Sequence, residues 1–218
     1  MTAPDSYSTL LQPLAAQGVR VVVPSLYPRG LSTLLGRVSV VEEAERAVAL
    51  IQSIVADAPG VRIFIGGHSR GGQAAFRAAR SLGRDTLAGL VLIDPVDGQG
   101  RNPVKRTATS QTSVLGMATL IVGAGIGGRC APADVNHDQF ADAIPEARHV
   151  IVSELGHADM LDDKPRTTGR RLCGGSTDPD LGRLACIELM SWAVLDDCSS
   201  DPTTWLSDEV RDVVQIRR

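Results

Sequence analysis

Five short apolar runs, separated by amphipathic stretches, restrict this sequence to one class of fold. Each run is almost continuously apolar, which is typical of strands that are covered on both faces of a sheet. The stretches between the runs carry apolar side chains at helical spacing, as at Ala44, Ala47 and Ile51. This alternation predicts an α/β fold with a doubly wound, mostly parallel sheet. The runs cover residues 19–24, 61–66, 90–94, 118–123 and 149–155.

The remaining segments divide into predicted helices and aperiodic loops. A helix is predicted over residues 135–144, and two more over residues 181–195 and 205–216 are expected to close one face of the sheet. Three segments without periodicity follow the third, fourth and fifth strands. Because open α/β sheets bind ligands at the carboxyl ends of their strands, these segments are either a substrate lid or plain surface connections. They cover residues 96–117, 123–134 and 162–180.

Length and composition exclude several classes of protein. A chain of 218 residues predicts a single domain over residues 1–218 with a substantial core. The net charge of −3 and the few aromatic residues (three Phe, two Tyr and two Trp) give no sign of a nucleic-acid-binding surface. No apolar run approaches the ~18 residues that a membrane span needs. The four cysteines match no C-x-x-C motif; their pairing stays open, and Cys186 is predicted to be a small buried hydrophobe.

The pentapeptide G-H-S-R-G at residues 67–71 lies between a predicted strand and a predicted helix that ends at Gly83. A G-x-S-x-G sequence at such a junction is typical of a nucleophile elbow, whose strained turn exposes the serine hydroxyl above the positive end of the helix. The tight turn is expected to require Gly67 and Gly71, since larger flanking side chains would collide. Ser69 is therefore the candidate nucleophile, and a glycine-rich tight turn without catalysis is the alternative.

A serine nucleophile needs a general base, and four histidines are candidates. His68 lies inside the elbow, and its side chain is expected to point away from the serine. His137 falls in a helical pattern and His149 begins a strand. His157 follows the last predicted strand, where this architecture places its catalytic histidine, so His157 is the predicted base. The alternative for His157 is an exposed loop position.

The acid that orients the base is chosen among three aspartates. The loop after the fourth predicted strand, where most enzymes of this architecture carry the acid, has no carboxylate before Asp134. Asp94 ends the strand after the elbow, and a carboxylate there, one strand over, can reach the same imidazole nitrogen. Asp94 is therefore preferred, with Asp97 and Asp134 as alternatives. A turn that caps the end of the strand is the non-catalytic interpretation of Asp94.

Several motifs, in order along residues 6–195, resemble the chlorophyllase family. They are G-H-S-R-G-G at residues 67–72, I-D-P-V-D-G at 93–98, C-A-P at 130–132 with N-H at 136–137, and G-H-A-D-M-L-D-D at 156–163. Residues 7–27 also resemble the first helix and strand of that family. The resemblance implies a catalytic triad of Ser69, Asp94 and His157, in agreement with the residues chosen above.

The resemblance also implies an activity. Chlorophyllases hydrolyse the ester that joins phytol to the propionate of chlorophyll, with no metal and no cofactor. The backbone N–H of Arg70 would donate one hydrogen bond to the oxyanion, while the Arg70 side chain is expected to make structural ion pairs. The implied partner is a lipophilic, chlorophyll-like ester bound in an apolar groove, with peripheral contact to a membrane surface allowed. A chloroplast or cytoplasmic location would follow from the same resemblance.

One departure from the family concerns the start of the chain. A full α/β-hydrolase carries, before the helix predicted over residues 7–14, an apolar strand ending in His-Gly, and the following loop supplies the second oxyanion N–H. Only five residues precede Ser6 here, and no such strand is present in the sequence. We therefore expect an N-terminally incomplete chain. The gap left in its sheet would close only if the 19–24 strand paired directly with the 61–66 strand. The alternatives are a carboxylesterase or cutinase-like hydrolase for another lipophilic ester, and a non-catalytic relative.

Overall fold

The computed structural model describes residues 3–26, 39–98 and 107–218, and a five-stranded sheet runs through the middle of this part of the chain. The strand order is β1-β2-β3-β4-β5. The first four strands are parallel, and β5 pairs antiparallel with β4. The predicted mostly parallel sheet is therefore confirmed. The strands are β1 Phe64–His68, β2 Gly89–Ile93, β3 Ala118–Ile126, β4 Arg148–Gly156 and β5 Val214–Ile216.

Helices cover both faces of the sheet. Among the described residues, no helix is long and apolar enough to cross a membrane. The helices are α1 Ser8–Ala16, α2 Val40–Asp57, α3 Arg70–Leu82, α4 His137–Ala143, α5 Asp163–Cys173, α6 Pro179–Asp196 and α7 Asp208–Arg211, with short 3-10 helices at Pro4–Tyr7 and Pro202–Thr204.

Alternate residues of β2 point into two separate cores, as the period of two in a strand requires. Val91 and Ile93 pack with α1 and α6 on one face of the sheet. Leu90 and Leu92 pack with α2, α3 and α4 on the other. Since β2 is buried along its whole length, its continuous apolar sequence is explained by cover on both faces.

Local sequence signals set the ends of two helices that flank the elbow. The hydroxyl of Ser39 accepts a hydrogen bond of 3.2 Å from the N–H of Glu42 and caps the start of α2. Helix α3 ends at Gly83, whose φ of 69° suits glycine and whose N–H bonds to the carbonyl of Ala79. The predicted end of this helix is confirmed.

The predicted strand over residues 19–24 is wrong. Residues 19–26 form no regular secondary structure, and Val22 and Val23 are 49% and 40% exposed. The direct pairing with β1 that would close the gap is not made, so β1 is an edge of the sheet within the described residues. An apolar run becomes a strand only where a neighbouring backbone satisfies its N–H and C=O groups, and this run has no such neighbour in the described part of the chain.

Two further predictions are corrected nearer the carboxyl terminus. Residues 205–216 do not form one helix: the four-residue α7 is followed by β5, which pairs with β4. Residues 162–180 are not a continuous loop, because α5 occupies Asp163–Cys173. In contrast, the helices predicted over residues 135–144 and 181–195 are confirmed as α4 and α6. Tyr27 and residues 99–106 of the first predicted lid lie outside the described residues.

Candidate active site

The turn between β1 and α3 has the strained geometry of a nucleophile elbow. Ser69 adopts φ 55° and ψ −126°, a conformation that non-glycine residues rarely populate. A Cβ on Gly67 would approach the carbonyl oxygen of Gly71 to 2.3 Å, so glycine is required there. The same requirement predicted for Gly71 is wrong, since a Cβ there meets no described atom within 4 Å. The second crowded position is Gly72, where a Cβ would lie 2.8 Å from Pro95.

The structure brings Ser69, Asp94 and His157 together in one hydrogen-bonded chain. The Nε2 atom of His157 lies 3.0 Å from the Oγ of Ser69, and its Nδ1 lies 2.6 Å from the Oδ2 of Asp94. His157 is 7% exposed and Asp94 is fully buried. A hydroxyl, an imidazole and a carboxylate in this order form the arrangement that activates a serine nucleophile.

Asp94 is positioned by the sheet itself. It follows β2 with a positive φ of 39°, and its N–H donates to the carbonyl of Val122 over 2.7 Å. The N–H of Ala124 donates to Oδ1 over 3.2 Å, which leaves Oδ2 for His157. Strand β3 thus holds one carboxylate oxygen while the other faces the imidazole.

The two alternative acids lie elsewhere. Asp97 is fully buried and accepts hydrogen bonds from the backbone N–H groups of residues 107–109. Burial alone would raise the pKa of this carboxyl, but the hydrogen bonds from Thr109, Ala108 and Thr107 outweigh it and lower the pKa. Asp97 therefore joins the end of β2 to residues 107–109. Asp134 lies on the surface and is not hydrogen-bonded to His157, whose Nδ1 faces Asp94.

The ring of His68 contacts the ring of the candidate base, His157, and its expected direction away from the serine stays a prediction. The ring centroids of His68 and His157 are 4.8 Å apart. Nε2 of His68 lies 2.8 Å from the backbone oxygen of His157, and Nδ1 lies 2.8 Å from the hydroxyl of Tyr7. Burial, reinforced by His157, lowers the pKa of His68 to about 3. A neutral His68 can donate a hydrogen bond from Nε2 to the backbone of His157 and accept one at Nδ1 from Tyr7. It therefore connects the residue before α1 to the loop that contains His157.

The remaining two histidines lie together outside the triad. Nδ1 of His137, in α4, lies 3.0 Å from Nε2 of His149, in β4, and both side chains are buried. Burial is the main cause that lowers both pKa values, that of His149 to about 4. Neither ring is hydrogen-bonded to Ser69, whose hydroxyl faces His157.

Asp159, within the G-H-A-D motif, holds the loop of His157 in place. This fully buried carboxylate accepts hydrogen bonds from the N–H of Gly156 at 2.7 Å and the N–H of Ser176 at 2.9 Å, and pairs with Arg170 at 3.0 Å. Sequence reasoning did not find this role, because Ser176 and Arg170 belong to a segment that was predicted to be a loop. The signal in the sequence was the position of Asp159, two residues after His157 in the G-H-A-D motif.

Arg70 follows the serine and has the structural role that was expected of its side chain. Its guanidinium pairs with the carboxylate of Glu43, in α2, at 2.8 Å, and Glu43 is 2% exposed. The pair joins α2 to the start of α3. The backbone N–H of Arg70 lies at the first residue of α3, and its role as an oxyanion donor remains a prediction.

The four cysteines fall into two groups. Cys130 and Cys173 form a disulfide that ties the loop after β3 to the end of α5. Cys186 and Cys198 are free and buried. Cys186 lies in the core beneath the sheet, which confirms its prediction as a small buried hydrophobe.

A sequence model of one family, described as chlorophyllase, matches residues 1–179. The chain belongs to the chlorophyllase family. It is 27% identical over 215 residues to chlorophyllase type 0 of Chenopodium album, covering 80% of this chain and 62% of that protein. It is 30% and 31% identical to chlorophyllase-1 and chlorophyllase-2 of Arabidopsis thaliana, covering 72% of this chain and 55% and 56% of theirs. The chain thus spans less than two thirds of these curated relatives.

Solved structures show that the fold is that of an α/β-hydrolase. A ferulic acid esterase from Streptomyces cinnamoneus superposes with a TM-score of 0.56 at 15% identity, covering 89% of this chain and 62% of the other. A protein from Xanthomonas campestris pv. campestris, assigned to the alpha/beta hydrolase superfamily, gives 0.53 at 20% identity, covering 86% and 91%. At these identities the likeness concerns the fold.

We expect the side chain of His68 to stay neutral at all pH values between 8 and about 5. NMR of protein with ¹⁵N-labelled histidine should show His68 as the Nε2–H tautomer from pH 8 to about 5, because its pKa lies near 3. Unfolded His68 binds a proton below its ordinary pKa of about 6.5, so its contribution to stability is present at neutral pH and falls as the pH drops below about 6.5. A His68 ring that titrates near its ordinary pKa would contradict this geometry.

Substitution of Asp159 should loosen the loop that carries His157. Asp159→Asn keeps the shape but removes a buried charge that accepts three hydrogen bonds, so we expect the free energy of unfolding to fall by about 2–3 kcal/mol in urea titrations. Asp180→Asn is the matched control, because Asp180 pairs with Arg166 and Arg183 at the surface, with 72% of its side chain exposed. The control should change stability by less than about 1 kcal/mol. Equal effects of the two variants would contradict the assigned role.

Proposed function

We propose that this chain is a serine ester hydrolase of the chlorophyllase type, which cleaves the phytyl ester of chlorophyll to chlorophyllide and phytol. The observation that carries the proposal is the continuous hydrogen-bonded chain from Asp94 through His157 to Ser69. Membership of the chlorophyllase family supports the choice of substrate. The proposed partner is a lipophilic ester, presented in solution or at a membrane surface.

The hydrogen-bonded chain supports the following course of acyl transfer. Nε2 of His157 takes the proton of Ser69 as Oγ attacks the ester carbonyl carbon, and the resulting tetrahedral oxyanion collapses with cleavage of the bond to the phytyl oxygen. The imidazolium gives its proton to that oxygen, and phytol leaves an acyl-enzyme on Ser69. Water, deprotonated by His157, then releases the chlorophyllide carboxylate. Asp94 keeps Nδ1 protonated and stabilises the imidazolium throughout.

The oxyanion would be stabilised from the start of α3. The backbone N–H of Arg70 is the proposed donor, at the positive end of a 13-residue helix. A second donor in such sites typically contributes ~10²–10³ in rate. Labelling of the serine depends chiefly on its activation by His157, so it tests the triad separately from the oxyanion donors.

A fluorophosphonate probe should label Ser69, because such probes react with serines that a neighbouring base activates. Mass spectrometry should place the label on Ser69, and Ser69→Ala should remove it. Asp94→Asn should lower the rate of p-nitrophenyl butyrate hydrolysis by up to ~10⁴, since the imidazole loses the partner that sets its tautomer. A folded chain that neither reacts with the probe nor hydrolyses this ester would support the non-catalytic alternative and contradict the proposal.

The substrate is tested separately, with chlorophyll a in detergent micelles against p-nitrophenyl butyrate. We expect release of chlorophyllide, measured by phase partition and absorbance, that Ser69→Ala abolishes. Hydrolysis of the small ester with no release of chlorophyllide would overturn the chlorophyll assignment and leave a carboxylesterase for another lipophilic ester. The two assays thus separate the reaction from its substrate.

A further inference from the structure

Three metal-binding side chains converge on the face of the sheet that carries α4, apart from the triad. His137 and Asp138 begin α4, and His149 lies in β4. One ligand atom from each residue lies within 4.8 Å of the other two. The triad uses none of these atoms, and the proposed reaction gives them no role. We infer that His137, Asp138 and His149 form a binding site for a divalent transition-metal ion of the Zn²⁺ type.

The distances between the three ligand atoms fit one metal ion. His137 Nδ1 and His149 Nε2 are 3.0 Å apart, and Oδ1 of Asp138 lies 3.4 Å from the first and 3.9 Å from the second. Tetrahedral Zn²⁺ with bonds of about 2.1 Å separates its ligands by about 3.4 Å. The three atoms therefore outline one face of a coordination tetrahedron, with the fourth position left for water or another ligand.

The two imidazoles are held in place before any metal arrives. A Cβ on Gly123 would come within 2.5 Å of Nδ1 of His137, so the ring packs directly on the backbone of β3. The carbonyl of His149 accepts hydrogen bonds from the backbone N–H groups of Arg217 and Arg218. Both histidines are only 6% exposed, whereas the side chain of Asp138 is 54% exposed. A cation would therefore reach the imidazoles from the side of Asp138.

Binding requires a change of tautomer and no change of redox state. Without a metal, one ring donates its N–H to the facing nitrogen of the other ring. A metal ion needs a lone pair from both facing nitrogens, so the donating ring must carry its proton on its other nitrogen. Each imidazole remains neutral, and two nitrogen–metal bonds replace one N–H···N hydrogen bond.

The charges around the cluster make Asp138 the decisive ligand. Asp94 and Asp138 act on His137 as negative charges that favour a cation, while Arg217 opposes it. Asp138 also favours a cation at His149, against Arg218 and Arg217. A neutral residue at position 138 would remove both a ligand and a compensating charge. Because the side chain of Asp138 is 54% exposed, Asp138→Asn is expected to leave the fold intact, so that its effect on metal binding can be measured in a folded chain.

The test uses purified protein stripped with a chelator and titrated with Co²⁺, then competed with Zn²⁺. We expect one equivalent of Co²⁺ to give the visible absorption of a tetrahedral N/O site without thiolate bands, and Zn²⁺ to displace it and raise the Tm. Asp138→Asn should weaken binding by at least about tenfold, since even changes next to a ligand cost 10–100-fold. Asp142→Asn, an exposed aspartate on the same helix, is the matched control and should bind like the parent chain.

A second variant tests the buried ligand. His149→Gln should abolish binding, and circular dichroism will show whether it folds; if it does not fold, Asp138→Asn decides alone. The inference is overturned if the parent chain binds no Co²⁺ or Zn²⁺, if Asp138→Asn and Asp142→Asn bind equally, or if thiolate bands place the metal on Cys186 or Cys198. No outcome depends on ester hydrolysis, so this inference and the proposed function stand or fall separately.

Discussion

The imidazole of His157 joins groups from three separate strand ends, and the register of the parallel sheet decides whether they meet. Ser69 follows β1, Asp94 follows β2, and His157 follows β4. Asp94 reaches the imidazole because β2 pairs with β3 through Ile93 and Val122 and its N–H continues that ladder. Since side chains alternate between the faces of a strand, a shift of one residue in the strand register would turn a hydrogen-bond partner of His157 to the opposite face of the sheet.

Sequence patterns predicted the central strands because those strands are buried on both faces. Strands β2, β3 and β4 follow the expected runs closely, and α4 and α6 follow their periodicity. The patterns failed where a partner or a tether decides the structure. The run at residues 19–24 has no neighbouring strand among the residues that the structure describes. The three residues of β5 form a strand by pairing with β4, and α5 is a polar helix whose last residue is cross-linked.

The candidate triad could be chosen from the sequence, because Ser69, Asp94 and His157 each follow the end of a predicted strand and occur in the chain order that this architecture uses. The residues that position the candidate base, His68 and Asp159, could not be assigned this role from the sequence. His68 acts through Tyr7, 61 positions earlier, and Asp159 through Ser176, 17 positions later. Hydrogen bonds between segments so far apart leave no periodic trace in a single sequence. Asp94 was preferred over Asp97 on position, and the different roles of the two carboxylates became visible only from their partners.

The disulfide closes a covalent ring that includes the candidate base, His157, and excludes the candidate nucleophile, Ser69. The bond between Cys130 and Cys173 closes a loop of 43 residues that contains α4, β4 and His157, while Ser69 lies outside it. A closed loop of this length removes unfolded-state entropy worth about 4 kcal/mol in the chain-entropy model. Reduction of the disulfide would remove this restraint from the segment that contains His157. The stability of the chain is therefore expected to depend on the redox potential of its surroundings, through a bond that encloses the candidate base and leaves the candidate nucleophile outside.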